Sequence, residues 1–250
     1  AAAFSALVRR RWPAIATGPA LAFALLVPLG ALAGTYPFLL GLAAALGALV
    51  ARQAGRPLAA LGAVVVTALA HPLALAFLLL VLIAVAVASR GWFRDAGARV
   101  FVVGTGLVAL GQAVLLRGFS SGDAAYPFNP KDATAIAGFC IVGMLLTRGL
   151  PDQRLLRAVF VGYGVLGAAA FVLSSPLGGN AVRLMLLMGA PLLLLPLAAR
   201  GFRPRGVTAA CLMGVLLWQA IPAVGGWRTA ADSHAQDKTY WYPVIAFVEA

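Results

Sequence analysis

A short polar break separates two apolar runs of the chain and ends in an arginine: Ser174-Ser175-Pro176-Leu177-Gly178-Gly179-Asn180-Ala181-Val182-Arg183. The guanidinium of Arg183 presents a planar fork of N–H donors that matches the oxygens of a phosphate. The amide of Asn180 can bind sugar hydroxyls, so the pair predicts a site for a phosphate and a sugar. In a second interpretation, Arg183 lies at a membrane interface, with its stem against apolar surface and its charge in water.

Three more residues are candidate ligand-binding residues, and they are predicted to lie on the same face as this break. Arg117 and Lys131 are near the two ends of the longest internal polar stretch, and a lysine offers phosphate a point charge. His71 precedes Pro72 inside an apolar run. Its alternative role is that of a polar residue at a helix break, satisfied at the membrane interface.

Acidic residues and catalytic motifs are scarce. The chain has seven acidic residues and two histidines, and none of the acids falls in the middle of an apolar run, which leaves a proton relay through a membrane without carriers. The sequence contains no P-loop, dinucleotide fingerprint, metalloprotease helix or nucleophile elbow. Asp123 and Asp132 are interpreted as a loop residue and a helix N-cap, with the role of a catalytic base as the alternative. The sequence therefore predicts no metal site and no cofactor, and it assigns no catalytic residue.

The composition is that of an integral membrane protein. Of 250 residues, 62% are hydrophobic and 10% are charged, and the mean hydropathy is +0.97, more than a soluble core of this size requires. The net charge of +12 comes from basic residues grouped in twos and threes at the ends of apolar segments. That pattern is typical of membrane loops rather than of a nucleic-acid surface. The lipid bilayer is the expected partner, and nucleic acid is not.

Charges, prolines and glycines divide the chain into helices, and the predicted fold is an all-α, polytopic transmembrane helical bundle of about nine membrane helices. The uncharged run from Pro57 to Ser89 has 33 residues and would be about 50 Å long as one helix, more than a bilayer core of roughly 30 Å needs. His71-Pro72 is predicted to break it into a short hairpin, because a proline removes a helical hydrogen bond. The predicted helices are 12–33, 36–51, 58–70, 72–89, 100–116, 133–147, 158–173, 184–199 and 207–224.

Basic residues divide unequally between the two ends of these helices. One set of loops holds fourteen of the 19 lysines and arginines, and the other holds five: Arg117, Lys131, Arg183, Arg228 and Lys238. Cytoplasmic loops are enriched in lysine and arginine. The N-terminus is therefore predicted to be cytoplasmic and the C-terminus external, in a multi-pass protein of the plasma membrane, and the candidate site then faces outwards.

The chain is expected to comprise a transmembrane helical domain at 1–226 and an external tail at 227–250. The sequence begins without methionine and stops at Val248-Glu249-Ala250, in what reads as the start of a helix. We therefore expect it to be an excerpt of a longer protein, whose tail leads into a soluble domain.

Five stretches of the chain resemble one group of proteins: Tyr36-Pro37-Phe38-Leu39-Leu40-Gly41-Leu42, Ala70-His71-Pro72-Leu73-Ala74-Leu75, Tyr126-Pro127-Phe128, Ser175-Pro176-Leu177-Gly178-Gly179-Asn180-Ala181-Val182-Arg183-Leu184, and Tyr240-Trp241-Tyr242-Pro243. They are similar to multi-spanning membrane proteins of actinobacteria, which tend to have serine where His71 stands. Those proteins look like GT-C-type glycosyltransferases, enzymes that take a sugar from a polyprenyl-phosphate donor on the external face. The resemblance implies such a donor and an envelope glycan acceptor as partners. The catalytic acid of these enzymes usually lies in the first external loop, after the first transmembrane helix. An excerpt that begins downstream of that loop lacks this acid, so the resemblance assigns no catalytic residue here.

Three hypotheses for the function follow. The first is the membrane core of a GT-C-like glycosyltransferase in cell-envelope assembly, with Arg183, Asn180 and Arg117 orienting donor or acceptor and Lys131 contacting phosphate. The second is a transporter or flippase-like permease, which a polar path through the helices would favour. The third is a non-catalytic membrane scaffold, which the lack of an acid at the external cleft would favour.

Overall fold

The computed structural model describes residues 1–89, 91, 95–119, 128–150, 153–172 and 178–249. This part of the chain is 88% helical and has no strand, which confirms the predicted all-helical class. It contains eleven α-helices: α1 Ala2–Arg11, α2 Thr17–Leu32, α3 Tyr36–Gln53, α4 Pro57–Ala70, α5 Pro72–Ala88, α6 Ala96–Phe119, α7 Pro130–Thr147, α8 Arg154–Val172, α9 Arg183–Ala199, α10 Arg205–Ala231 and α11 Lys238–Glu249. Short 3₁₀ segments occur at Pro13–Ile15, Gly178–Val182 and His234–Gln236.

Proline marks the start of four helices. Pro37, Pro57, Pro72 and Pro130 lie in the first turns of α3, α4, α5 and α7. At these positions a missing N–H breaks no helical hydrogen bond, and the fixed φ of proline already suits a helix. The starts of these four helices can therefore be predicted from the sequence.

The break between α4 and α5 falls at His71, as predicted. In a continuous helix the carbonyl of Ala68 would accept the N–H of residue 72, which a proline lacks. The side-chain amide of Gln112, in α6, donates to that carbonyl instead. A third helix thus satisfies the backbone group that the proline leaves unpaired.

Each of the nine predicted segments overlaps one of the helices α2 to α10, although the predicted 12–33 also contains the 3₁₀ turn Pro13–Ile15. Six of these, α3 and α6 to α10, are long and apolar enough to cross a membrane, whereas α2, α4 and α5 are apolar but shorter. The structure is consistent with a multi-pass membrane protein, and nine crossings remain a prediction. Helix α1 was not predicted. The helix start expected at residues 248–250 is wrong, because α11 begins at Lys238 and ends at Glu249, and residues 227–231 of the predicted tail belong to α10.

Helix α9 is the central element of the bundle. Eleven of its 17 residues are buried, and it packs against α2, α7 and α10. Around it, α8 lies beside α5 and α7, α3 beside α4, and α4 beside α6. The exposed surfaces of α6 and α10 are rich in leucine and valine. A bundle whose interior and exterior are both apolar is suited to a lipid environment.

The helix connections fall at two ends of the bundle, because helices joined by short connections run in opposite directions. We call one the Arg200 end; it contains the α3–α4, α7–α8 and α9–α10 connections. The other is the Arg183 end, which contains the α2–α3 turn, the α4–α5 break and the α8–α9 connection. The candidate site lies at the Arg183 end.

Arginines bind backbone carbonyls at the Arg200 end. The Nε of Arg200 donates to the carbonyl of Leu146 at 2.7 Å, and its Nη2 donates to the carbonyl of Arg148 at 2.6 Å. Arg157 donates to the carbonyl of Thr147. These carbonyls lie at the C-terminus of α7, where helical partners are lacking for the last carbonyls and a positive charge also matches the helix dipole.

Asp95 joins α3 to the start of α6. Its carboxylate accepts the backbone N–H groups of Gly97 at 3.1 Å and Ala98 at 3.2 Å, and it forms an ion pair with Arg52. The hydrogen bond from Gly97, followed by the contact with Arg52, lowers the pKa of Asp95 below its ordinary value. The carboxylate therefore stays ionised and caps α6 at neutral pH.

Candidate functional site

Arg183 is the first residue of α9 and follows the 3₁₀ turn Gly178–Val182. The turn is fixed to the core by Tyr163 of α8, whose hydroxyl donates to the carbonyl of Ala181 at 2.8 Å. Tyr163 is fully buried, so this bond is shielded from water and holds the turn firmly. The half-buried Arg183 guanidinium is thus presented by a rigid support rather than by a free loop.

His71 lies at the same end of the bundle, between α4 and α5. Its Nδ1 accepts the backbone N–H of Leu73 at 3.2 Å and so caps α5. Burial lowers the pKa of His71, and the positive charge of Arg183 lowers this pKa further. The ring is therefore neutral at pH 7. His71 itself does not line the cavity described below, but its ring packs against Phe38, which does.

A series of aromatic rings connects His71 with the support of Arg183. The ring of His71 meets Phe38 edge-on, with centroids 5.5 Å apart. Phe38 meets Phe77 at 6.1 Å, and Phe77 meets Tyr163 at 6.2 Å, each in a T-shaped arrangement. Such contacts are favourable beyond the burial of their area. The α4–α5 break and the turn before α9 therefore share one packed aromatic core.

Arg183 lines a cavity of about 50 Å³ together with Thr35 and Gln219. The hydroxyl of Thr35 donates to the carbonyl of Gly30 at 2.7 Å. Gln219, in α10, is only 5% exposed, and neither its Oε1 nor its Nε2 has a hydrogen-bond partner within the described ranges. The volume suits a water molecule or one oxygen of a ligand and is too small for a sugar ring.

The charge of Arg183 is not neutralised by a carboxylate in the described part of the chain. The ion pairs found there join Arg52 to Asp95 and His234 to Asp237. Within the described ranges, the cavity lining provides a cation, an amide and the Thr35 hydroxyl, and it contains no acid. This arrangement can bind an anion and a hydroxyl group. Among the described residues, no group of three or more histidines, cysteines or acids could hold a metal ion.

The other predicted site residues are placed differently. Asn180 lies in the 3₁₀ turn, close before Arg183. Arg117, near the end of α6, and Lys131, in the first turn of α7, are exposed and do not line the cavity. Residues 174–177 of the polar break and Asp123 lie outside the described residues.

Sequence reasoning missed three residues of this site: Thr35, Tyr163 and Gln219. Gln219 is the one that a sequence signal could have identified, because it is a polar residue inside an apolar run of membrane length, and such residues usually have partners in the bundle interior. Tyr163 also interrupts an apolar run, but its bond to a backbone carbonyl leaves no trace in the sequence.

The chain was compared with known proteins at three levels. No protein-family model matches it, and comparisons with curated proteins and with solved structures also give no significant match.

Proposed function

We propose that the chain binds a polyprenyl-phosphate-linked sugar at the Arg183 end and forms the membrane core of a GT-C-like glycosyltransferase of cell-envelope assembly. One observation is central to the proposal. A half-buried arginine without a carboxylate partner in the described part lines a cavity with a buried amide that also lacks a partner. The enzyme class is supported by the resemblance of the five stretches given above.

The donors at the Arg183 end match a phosphate. The guanidinium of Arg183 can supply two parallel N–H bonds, which are stronger in a partly desolvated site than in water. Because the Nδ1 of His71 accepts the N–H of Leu73, the neutral ring holds its proton on Nε2 and can donate from there. A neutral histidine beside Arg183 adds a donor without adding a second positive charge.

An apolar cavity beside this site has room for a lipid chain. It has a volume of about 350 Å³, lies between α7, α9 and α10, and is lined by Phe139, Met185, Leu193 and Trp218 among other residues. It shares α9 and α10 with the cavity of Arg183, and Trp218 directly precedes Gln219 in the chain. A phosphate at Arg183 would therefore place an attached polyprenyl chain next to this apolar cavity.

A permease is the second candidate function. Gln219 favours it, because a buried amide without a partner, well inside α10, would suit a substrate that passes between the helices. Sugar transfer and substrate movement separate the two candidates. Transfer of label from a polyprenyl-phosphate sugar to an acceptor supports the enzyme, whereas movement of the same label across a vesicle membrane without transfer supports the permease.

Binding of a labelled polyprenyl-phosphate sugar to the purified chain in detergent tests the site itself. We expect Arg183→Ala to weaken binding by about 10- to 150-fold, the effect of losing a hydrogen bond of about 1.5–3 kcal/mol to a charged group. Arg183→Lys should retain part of the affinity, because lysine keeps the charge and loses the fork.

Arg228→Ala, near the end of α10, is the matched control. It removes the same charge from an exposed position outside the cavity, and it should bind like the unsubstituted chain. If a folded Arg183→Ala variant binds as tightly as this control, Arg183 does not hold the phosphate and the proposal is wrong.

A further inference from the structure

Helices α5 and α8 leave a groove between them on the surface of the bundle. The groove has a volume of about 860 Å³. Its floor includes the buried residues Leu80 and Ala84, and a Cβ on Gly162 would lie 3.5 Å from Leu80 of the opposite helix. Its walls are two pairs of exposed residues spaced four apart, Ile83 and Val87 on α5 and Val161 and Val165 on α8. Residues at this spacing share one helix face.

Both charges of the groove lie at one end. Among the described residues that line it, only Arg154 and Arg157 are charged, and none is acidic. They are three positions apart in the first turn of α8 and so point to the same side. Arg154 is exposed, while Arg157 is held by its bond to the carbonyl of Thr147. The Nε of Arg157 has no acceptor within the described ranges.

We propose that this groove binds an anionic phospholipid of the bilayer, with the lipid phosphate on Arg154 and Arg157 and one acyl chain between the walls of α5 and α8. The site belongs to the Arg200 end and is separate from the cavity of Arg183. It does not depend on the function proposed above.

The shape of the groove favours a lipid over a free anion. The lining of α8 continues from Ala158 to Ala169, which is about 16 Å along a helix axis. A small anion would use the two arginines and leave this apolar length empty. A phospholipid fills both parts, because basic pockets between membrane helices fit lipid head groups while the chains remain in apolar surroundings.

The sign of the charge favours an anionic over a zwitterionic head group. The cationic choline of a phosphatidylcholine would lie near two guanidinium groups without a carboxylate in the described lining. Phosphatidylglycerol carries only the negative charge, and arginine matches its phosphate oxygens.

Native mass spectrometry of the full chain tests this proposal, in micelles that contain either dioleoyl-phosphatidylglycerol or dioleoyl-phosphatidylcholine. We expect the unsubstituted chain to retain phosphatidylglycerol in preference to phosphatidylcholine. The double variant Arg154→Gln, Arg157→Gln should bind phosphatidylglycerol about tenfold more weakly, since it loses charge-assisted bonds to the phosphate. The matched control is Arg148→Gln, Arg203→Gln, which removes two exposed arginines outside the groove.

Two further variants keep the test decisive if the loss of Arg157 disturbs the packing on α7. Arg154→Gln alone changes only an exposed residue, and Ala169→Phe obstructs the far end of the groove without touching either arginine. Each should reduce retention of phosphatidylglycerol. Equal retention by the control pair and by all groove variants would overturn the proposal, and so would equal retention of the two lipids by the unsubstituted chain.

Discussion

Gln219 is a residue whose burial is unfavourable unless a ligand or water satisfies it. A buried polar group without a partner costs about 1–3 kcal/mol of stability, and both amide atoms of Gln219 are in this condition in the described part of the chain. We expect Gln219→Leu to raise the free energy of unfolding by about 1–2 kcal/mol and to weaken binding of the proposed ligand. Denaturant unfolding in detergent and the binding assay measure the two effects.

Gln112→Leu is the control for this substitution. The amide of Gln112 donates to the carbonyl of Ala68, which Pro72 leaves without a helical partner. The same change should therefore lower the free energy of unfolding there, by about 1–3 kcal/mol. If both variants were destabilised alike, Gln219 would have a partner that its surroundings do not suggest, and its role in the site would be lost.

His71 makes the stability of the Arg183 end depend on pH. Burial and the charge of Arg183 lower the pKa of His71 below its ordinary value of 6.5. The imidazole therefore binds a proton more readily in the unfolded chain than in the folded one. The contribution of neutral His71 to the free energy of unfolding is complete above about pH 6.5 and is lost as the pH falls through the lowered pKa. We expect the thermal unfolding temperature to fall between pH 7 and pH 5.

His71→Asn should reduce that fall, because asparagine can still cap α5 and does not titrate. His234→Asn is the control, since it removes the other histidine of the chain at an exposed position. A pH dependence that is the same in the unsubstituted chain and both variants would show that His71 is not responsible.

The sequence predicted part of the site at the level of single residues. Arg183 and His71 could be identified because each interrupts an apolar run next to a break, and the structure places both at the Arg183 end. Arg117 and Lys131 were grouped with them only because they were predicted on the same side of the membrane. Residues on one side of a membrane protein can still lie far apart. Tyr163 and Gln219 lie on other helices, α8 and α10. They reach the site only through the packing of these helices, which the sequence did not predict.

At the scale of elements, the close approach of α7 and α8 depends on a glycine. A Cβ on Gly143 would lie 2.4 to 2.5 Å from three ring atoms of Phe160. Phe160 is fully buried and packs against Phe139 with centroids 5.3 Å apart, so its ring has little room to move. We expect Gly143→Ala to lower the free energy of unfolding by about 1–3 kcal/mol, the usual effect of overpacking.

Gly138 provides a matched control within α7. A Cβ there would meet no atom within 4 Å, so Gly138→Ala should be neutral or stabilising by up to about 1 kcal/mol, because alanine favours the helix more than glycine does. Equilibrium unfolding of both variants in the same detergent measures the difference. Similar stabilities for the two would mean that α7 and α8 do not pack at Gly143 as described.

The helices themselves were largely predictable, for physical reasons that differ along the chain. Prolines and charged residues mark helix boundaries that can be predicted directly, such as the start of α5 at Pro72 and the end of α9 before Arg200. The unpredicted α1 is short and ends in three arginines. Its buried residues are Phe4 and Val8, which are one helical turn apart. The tail residues of α11 include polar groups and Pro243, which weaken the periodic signal. In both helices, polar residues hide the apolar pattern from which a helix would be predicted.

At the scale of the whole molecule, the two ends of the bundle use their arginines differently. At the Arg200 end, Arg200 and Arg157 bind carbonyls and Arg52 binds a carboxylate. At the Arg183 end, Arg183 has no carboxylate partner in the described part and lines a cavity. Arg200, Arg157 and Arg52 therefore have structural roles in addition to any effect on topology, whereas Arg183 remains able to bind a ligand.

The orientation of the bundle in its membrane is predicted from the unequal number of basic residues at its two ends. Cysteine substitutions of two alanines can test it. Ala33 and Ala54 follow α2 and α3, are both exposed, and lie at the Arg183 end and the Arg200 end respectively. Because basic loops stay in the cytoplasm, we expect Ala33→Cys to react with a membrane-impermeant maleimide in intact cells and Ala54→Cys to react only after lysis.

The native cysteines set the background of this measurement. Cys140 is buried and Cys211 is half-buried, so the unsubstituted chain should label weakly before and after lysis. The reverse pattern, with Ala54→Cys labelled in intact cells and Ala33→Cys protected, would place Arg183 and His71 in the cytoplasm. A donor presented on the external face could not reach them there, so that outcome would contradict the GT-C-like function, while the binding site and the lipid groove would keep their geometry.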